Sequence, residues 1–242
     1  MATIILVHGA WHGAWCWYRL APILESHGQD VKIPDLPGHG KNLQPIATVT
    51  LQDYTDSICK VIHDLARPVM LVGHSMSGIV ISRVAEILPD KICQLVYLSG
   101  FLLQDGQSML EMTQQDEAAL VMHNLMYSRD RKTATIKPEI LIPAFYADCD
   151  EEDIELARSH ISAQALQPIA TPVHITANNW GRVPRAYIEC IRDRAVTIQA
   201  QRKMVSSLPC EQVFTLDTGH SPFFSAPGLL ARYLVSLNSR QV

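Results

Sequence analysis

Short apolar runs rich in β-branched residues recur along this chain, and they limit its fold more than any other feature. They cover residues 3–7, 30–33, 69–72, 94–98, 185–190 and 212–216. Their length and lack of alternation are typical of strands covered on both faces of a parallel sheet. Between them, apolar residues recur at helical spacing over residues 18–27, 51–65, 77–88 and 198–207. This alternation predicts an α/β fold with a doubly wound, mostly parallel sheet flanked by helices.

The alternation stops between residues 103 and 179, where helix-like pieces such as residues 150–161 occur without a convincing strand. The acidic start of that piece, residues 150–153, is typical of a first helical turn, because acidic side chains favour the positive end of the helix dipole. We therefore predict a helical cap inserted after the strand near 94–98. The length of 242 residues fits one domain over residues 1–242 that contains this insertion.

The charge and hydropathy patterns argue against two classes of partner. The net charge is −4 and basic residues form no stripe, so a nucleic-acid partner is not expected. No apolar stretch approaches the roughly 20 residues of a membrane helix, so a membrane partner is not expected either. The sequence has no direct sign of self-association, although a homodimer is compatible with it.

The cysteines are scattered, with no C-x-x-C pair and no histidine cluster at metal-ligand spacing. We therefore expect free, mostly buried thiols, no metal and no other cofactor. The apolar run after the first residues is too short for a signal peptide and lacks a basic start. These features predict a cytoplasmic protein.

The segment Gly73-His74-Ser75-Met76-Ser77-Gly78 lies between a predicted strand and a predicted helix. A serine close to glycines in this strand–turn–helix setting is typical of a nucleophile elbow. The turn is too tight for bulky neighbours, and it lifts the serine hydroxyl over the C-terminal edge of the sheet. The N-terminus of the following helix favours developing negative charge there. Ser75 is therefore the predicted nucleophile.

A serine hydroxyl needs a base within hydrogen-bond reach before it attacks a carbonyl. Of the ten histidines, His220 fits best, because it follows the last predicted strand. Loops at the carboxyl ends of parallel strands meet at one edge of the sheet. We therefore predict His220 as the base.

Two acids compete to orient this histidine. The chain order expected for such a site is nucleophile, acid, histidine. Asp193 follows the strand at 185–190 and is our prediction, although an ion pair with Arg192 or Arg194 is its structural alternative. Asp217 lies three residues before the histidine, which suits a turn better.

An acyl-transfer intermediate needs backbone N–H groups directed at its oxyanion. The residue after the nucleophile, Met76, is expected to supply one of them, and the loop after the first strand the other. In that loop we predict the N–H of Ala10, since Gly9 permits a close backbone approach.

Taken together, these residues resemble the α/β-hydrolase branch that contains plant salicylate-binding-type methyl esterases and plant hydroxynitrile lyases. The likeness spans nearly the whole chain and is carried by residues 7–15, 72–75, 145–149, 180–183 and 217–220. It implies the α/β-hydrolase fold, and its strand and loop at 186–193 favour Asp193 as the acid. Bacterial pyrethroid-hydrolysing carboxylesterases are similar too. Ser77 stands where the family usually has glycine.

The family contains hydrolases and carbon–carbon lyases that share one triad, so individual positions bear on the reaction. The lyases carry a threonine where this chain has Gly9, and a lysine after the catalytic histidine where it has Ser221. In the lyases that lysine meets the departing cyanide, a charge that Ser221 lacks. The resemblance therefore implies a serine carboxylesterase. A hydroxynitrile lyase-type C–C lyase and a ligand-sensing receptor are the alternatives.

The resemblance implies uncharged hydrophobic esters as the small-molecule substrates. The candidate pocket residues are Gly9, Trp11, Leu102, Tyr146 and Ser221. Further apolar cap residues that are candidates for the lining are Leu103, Leu120, Met122, Leu125, Met126 and Phe145. Apolar clusters in a cap also serve as its own core, so these positions predict a hydrophobic pocket without fixing its specificity.

Overall fold

The computed structural model describes residues 2–239. Within them, the strands are β1 (Thr3–Val7), β2 (Val31–Lys32), β3 (Val69–His74), β4 (Ile92–Leu98), β5 (Leu125–Tyr127), β6 (Thr133–Ile136), β7 (Gln164–Ala165), β8 (Arg185–Cys190) and β9 (Gln212–Leu216). One six-stranded sheet has the order β2-β1-β3-β4-β8-β9, and all its pairs are parallel. Its strands coincide with the apolar runs of the sequence, so the predicted parallel sheet is confirmed.

The helices, in chain order, are α1 (Leu20–Ser26), α2 (Leu51–His63), α3 (Ser77–Ile87), α4 (Met109–Gln114), α5 (Pro138–Leu141), α6 (Glu151–His160), α7 (Leu166–Ala170), α8 (Ile198–Ser207), α9 (Pro222–Ser225) and α10 (Pro227–Ser239). The predicted helices of the core appear as α1, α2, α3 and α8. Helix α10 was not predicted, although Leu230, Leu234 and Leu237 are buried at helical spacing. Among residues 2–239, no helix is long and apolar enough to cross a membrane.

The chain between β4 and β8 forms the cap, and it is not purely helical. It contains α4 to α7 and an antiparallel sheet in the order β5-β6-β7. The expectation of no strand in this segment is therefore wrong. These strands are only two to four residues long, too short to show alternation, and the cap sheet joins positions that are distant in the chain. The predicted helix at 150–161 is present as α6.

The core surrounds the central strands of the large sheet. Every residue of β3 is buried, because helices cover both faces. Since all six strands run in the same direction, the loops after β1, β3, β8 and β9 meet at one edge of the sheet. That edge carries Ser75, Asp193 and His220.

Candidate active site

Ser75 occupies a strained turn between β3 and α3. Its φ is +53°, in the left-handed region that non-glycine residues seldom adopt. A Cβ added to Gly73 would lie 2.6 Å from the carbonyl oxygen of Ser77, and one added to Gly78 would lie 2.5 Å from that of Phe101. Glycine at both positions therefore permits the turn, as a nucleophile elbow requires.

His220 and Asp193 form a buried hydrogen-bonded pair. The Nδ1–H of His220 donates to Asp193 Oδ2 at 2.7 Å, and their side chains are 1% and 0% exposed. The other carboxylate oxygen of Asp193 accepts the N–H groups of Ala195 and Val196 at 2.7 and 2.9 Å. The hydroxyl of Ser99 also donates to Asp193 Oδ2. These donors fix the carboxylate, which in turn orients the imidazole.

The competing acid, Asp217, lies elsewhere. It is 75% exposed and pairs with Arg192 at 3.0 Å. Arg192 also lies 3.6 Å from Asp148, so it does not form the ion pair with Asp193 that was the structural alternative. Of the two candidate acids, the structure places only Asp193 on His220.

Two contacts bring His220 to the elbow. Its ring centroid lies 4.5 Å from that of His74, the residue before Ser75, and 5.3 Å from that of Phe145. Phe145 and Ser75 line the same cavity. The Nε2–H of His74 donates to the carbonyl oxygen of His220 at 2.9 Å. This bond holds the loop at residues 217–221, called here the histidine loop, against the end of β3. Burial lowers the pKa of His74 well below its ordinary value, so the ring is neutral.

The loop after β1 runs beside the elbow, since a Cβ added to Gly9 would lie 3.0 Å from Ser75 Cβ. Within residues 2–239, the N–H groups of Ala10 and Met76 make no hydrogen bond. Both donors are therefore available to an oxyanion near Ser75.

His8 fixes the orientation of the peptide group that contains the Ala10 N–H. Its Nε2 accepts the N–H of Leu36 at 3.0 Å, so its Nδ1 carries the proton and donates to the carbonyl oxygen of Gly9 at 2.9 Å. Because the peptide is planar and trans, holding this carbonyl directs the Ala10 N–H to the opposite side. Burial lowers the pKa of His8 to about 3, which keeps the ring neutral.

Sequence reasoning missed two side chains that brace the site. The hydroxyl of Ser77 donates to the carbonyl oxygen of His8 and joins α3 to the loop after β1. Ser99, at the end of β4, holds Asp193. For Ser77, the one visible signal in the sequence was the departure from glycine at that position. For Ser99 there was no signal, because Ser99 and Asp193 are distant in the chain.

The cavity at Ser75 is small and almost wholly apolar. Besides Ser75 it is lined by Trp11, Phe101, Met109, Thr113, Val121, Met122, Phe145, Ala195 and Val196. Its volume is about 10 Å³, enough for at most a single water molecule. Ser75 itself is only 7% exposed. The cap therefore covers the serine in this conformation.

The predicted pocket residues divide into two groups. Trp11 lines the cavity, and Gly9 lies against Ser75. Leu102, Tyr146 and Ser221 are buried but lie outside the cavity lining. The hydroxyl of Tyr146 instead donates to His12 Nε2 at 2.6 Å.

Metal-binding geometry is absent from the described part of the chain: residues 2–239 contain no group of three or more His, Cys, Asp or Glu placed to hold an ion. The six cysteines are free, and Cys16 and Cys190 are buried. A larger groove of about 930 Å³ lies on the surface beside Trp15 and Tyr18, but Ser75 and His220 do not line it.

Comparisons with known proteins agree with this architecture. A putative chloroplastic methylesterase 13 of Arabidopsis thaliana is 32% identical over 97% of this chain, which spans only 55% of that relative's length. Tomato methylketone synthase I, solved with 2-tridecanone, superposes with a TM-score of 0.90 at 25% identity, over 100% of this chain and 99% of that one. A pyrethroid hydrolase from Sphingobium faniae superposes with a TM-score of 0.86 at 25% identity, over 98% of this chain and 97% of that one.

The resemblance to plant methyl esterases and bacterial pyrethroid hydrolases is thus confirmed. The chain spans about half the length of the first of these relatives. A model of the alpha/beta hydrolase family matches residues 4–233, nearly the whole chain. Because that match covers the sheet, the cap and the edge that carries Ser75, this chain belongs to the alpha/beta hydrolase family.

Proposed function

We propose that this protein is a serine carboxylesterase that hydrolyses uncharged hydrophobic esters through an acyl-enzyme on Ser75. The observation that carries the proposal is the buried Asp193–His220 pair, which packs against His74 next to the strained turn at Ser75. Because a serine nucleophile needs a base and an acid that orients the base, this arrangement supports the proposal.

In the proposed mechanism, His220 Nε2 accepts the Ser75 proton as the hydroxyl oxygen attacks the ester carbonyl. The N–H groups of Ala10 and Met76 stabilise the oxyanion. His220 then protonates the departing alcohol, and the acyl-enzyme forms. A water molecule, deprotonated by His220, releases the acid and restores Ser75. No cofactor takes part in these steps.

The substrate class follows from the cavity lining. None of the lining side chains is charged. Besides Ser75, the Thr113 hydroxyl and the Trp11 indole N–H are polar, and they donate to the carbonyl oxygens of Leu110 and Ala134. A charged acyl or alcohol group would lose its hydration there without a partner. The names of the relatives, a methylesterase and a pyrethroid hydrolase, support an ester substrate. Since the cavity holds about one water, the cap must shift to admit any ester.

The lyase alternative has less support in the site. A Cβ at Gly9 would lie 2.9 Å from His74 Nδ1, so the threonine of the lyases does not fit without a shift. Ser221, at the position of the lyase lysine, is uncharged and fully buried. Release of cyanide from mandelonitrile by the purified protein would restore this alternative.

The proposal is tested with a panel of p-nitrophenyl and methyl esters on the wild type, Ser75→Ala and Ser82→Ala. Ser82 is a matched control, because its buried hydroxyl lies on α3, the helix that follows Ser75, and bonds to Gly78 and Tyr97 instead. We expect Ser75→Ala to lose several orders of magnitude in rate, as for other triad members, and Ser82→Ala to stay within about twofold. Unchanged hydrolysis by Ser75→Ala refutes the mechanism, and tight ester binding without turnover by the wild type favours a receptor. Cytoplasmic location stays a prediction.

A further inference from the structure

One carboxylate of the cap reaches the loop that carries the proposed base. Asp148 follows a π-helical turn at Ile142–Tyr146, and its Oδ2 accepts the N–H of Gly219 at 2.7 Å. Gly219 directly precedes His220. We infer that Asp148 is a positioning residue that holds His220 in its reactive place and makes this place depend on a closed cap. The inference rests on the proposed serine-esterase mechanism.

The contact is specific, because the loop residue has to be small. A Cβ added to Gly219 would lie 2.7 Å from Asp148 Oδ1, so glycine is what allows the carboxylate to approach the backbone. The Asp148 side chain is only 14% exposed. Its hydrogen bond is therefore largely shielded from competing water.

Three hydrogen bonds of the histidine loop differ in origin. His220 Nδ1 binds Asp193, on the loop after β8, and the His220 carbonyl accepts from His74, at the end of β3. Both partners lie at the carboxyl-terminal edge of the large sheet. The bond from Gly219 to Asp148 is the third, and its acceptor belongs to the cap. Movement of the cap thus leaves the first two bonds and removes the third.

Arg192 connects the same carboxylate to the acid side of the site. Its guanidinium lies 3.6 Å from Asp148 Oδ2 and 3.0 Å from Asp217 Oδ1. Its backbone N–H donates to the carbonyl oxygen of Thr218 at 2.9 Å. Arg192 directly precedes Asp193. The ion pair between Arg192 and Asp148 therefore also restrains the loop that carries the acid partner of His220.

The neighbouring cap residues reach the other half of the site. The Phe145 ring lies tilted against the His220 ring, with their centroids 5.3 Å apart, and the hydroxyl of Tyr146 donates to His12. The Nδ1–H of His12 in turn donates to the carbonyl oxygen of Ala10 at 2.8 Å. One short segment of the cap, residues 145–148, therefore contacts both the histidine loop and the loop after β1 when the cavity is closed.

The test compares Asp148→Ala, Asp148→Asn and the matched control Asp217→Asn. Asp217 pairs with the same arginine but does not bind Gly219. We expect Asp148→Ala to lower kcat about tenfold with KM within about twofold, because the base is misplaced after the substrate binds. Asp148→Asn keeps an acceptor for Gly219 and should retain at least half of the wild-type kcat, roughly as Asp217→Asn does.

Labelling of Ser75 by a fluorophosphonate separates this inference from the proposed function. The reagent reacts with an activated serine and needs no ester turnover. The inference is supported if the wild type is labelled at Ser75 and Asp148→Ala is labelled there about tenfold more slowly. Equal labelling of both refutes it and leaves the esterase mechanism intact. Failure of the wild type to label at Ser75 counts against the proposed function instead.

Gly219→Ala covers the case in which Asp148→Ala does not fold. The φ of Gly219 lies outside the left-handed region, so alanine is compatible with the backbone there. The added methyl group displaces the Asp148 carboxylate. We expect the same selective loss of kcat. A Gly219→Ala enzyme with the wild-type kcat overturns the inference, as does an Asp148→Asn enzyme that loses as much as Asp148→Ala.

Discussion

At the scale of single residues, the surroundings of Ser75 depend on neutral histidines used as hydrogen-bonding supports. Each of His8, His12 and His74 holds a backbone carbonyl of a loop at the site, namely that of Gly9, Ala10 and His220. A protonated ring would be costly in these buried places. These three rings therefore act through geometry, whereas the proton transfer with Ser75 is proposed for His220.

The support by His8 can be tested by substitution. His8→Ala removes the donor that holds the Gly9 carbonyl, so the Ala10 N–H loses its fixed direction. We expect kcat for ester hydrolysis to fall about 100-fold, comparable to loss of one oxyanion donor, with a smaller change in KM. In His8→Asn the side-chain amide can still donate to Gly9, and activity should partly return. A His8→Ala enzyme with kcat within about twofold of the wild type contradicts this role.

At the scale of elements, helix α6 anchors the cap to the core through one buried carboxylate. Asp153 is 0% exposed, and its Oδ1 accepts from Arg19 Nε and from the Tyr18 hydroxyl, both at 2.7 Å. The hydrogen bond to Asp153 raises the pKa of Arg19, and the guanidinium stays charged. Arg19 and Tyr18 precede α1, so this contact joins the cap to the large-sheet layer.

Asp153→Ala should loosen α6 more than the rest of the molecule. We expect a loss of about 1–3 kcal/mol in the free energy of unfolding, since Arg19 is partly exposed and is rehydrated. Amide hydrogen exchange of residues 151–160 should accelerate. Glu152→Ala is the control, because Glu152 is 79% exposed and lies 3.4 Å from the same arginine; it should change the free energy by less than about 0.5 kcal/mol. If amide hydrogen exchange in α6 were equally fast in Asp153→Ala and Glu152→Ala, Asp153 would not be the anchor of this helix.

At the scale of the whole molecule, the buried histidines make stability depend on pH. Burial lowers the pKa of His8 and His39 to about 3 and that of His12 to about 4. In the unfolded chain these rings titrate near the ordinary histidine pKa of about 6.5. As the pH falls below this value, the unfolded state binds protons that the folded state excludes, and stability is lost until the folded pKa values are reached.

We therefore expect the free energy of unfolding to fall steeply below about pH 6.5. At about pH 5, His8, His12 and His39 together cost about 6 kcal/mol, or about 2 kcal/mol each, and the buried His74 adds to this loss. Urea unfolding measured at about pH 7.5 and about pH 5 gives this difference. Substitution of the exposed His63 should leave it unchanged, since that ring is 84% exposed. Equal stability at both pH values would mean that the rings are not held neutral.

Patterns close in the sequence predicted much of this molecule. Short apolar runs without alternation predicted every strand of the large sheet, and the glycines around Ser75 predicted the elbow. The positions of Asp193 and His220 after β8 and β9 indicated the same edge of the sheet. Such features are local, because strand and turn preferences depend on neighbouring residues.

The sequence by itself therefore determined the parallel sheet, the elbow and the order of Ser75, Asp193 and His220. Tertiary structure alone decided the cap sheet, the closure of the cavity over Ser75, and the contact of Asp148 with Gly219. The physical reason is that these depend on packing between residues far apart in the chain: the carboxylate of Asp148 meets a backbone N–H 71 positions away. A backbone donor has no signature in the sequence, and only the folded chain brings the two together.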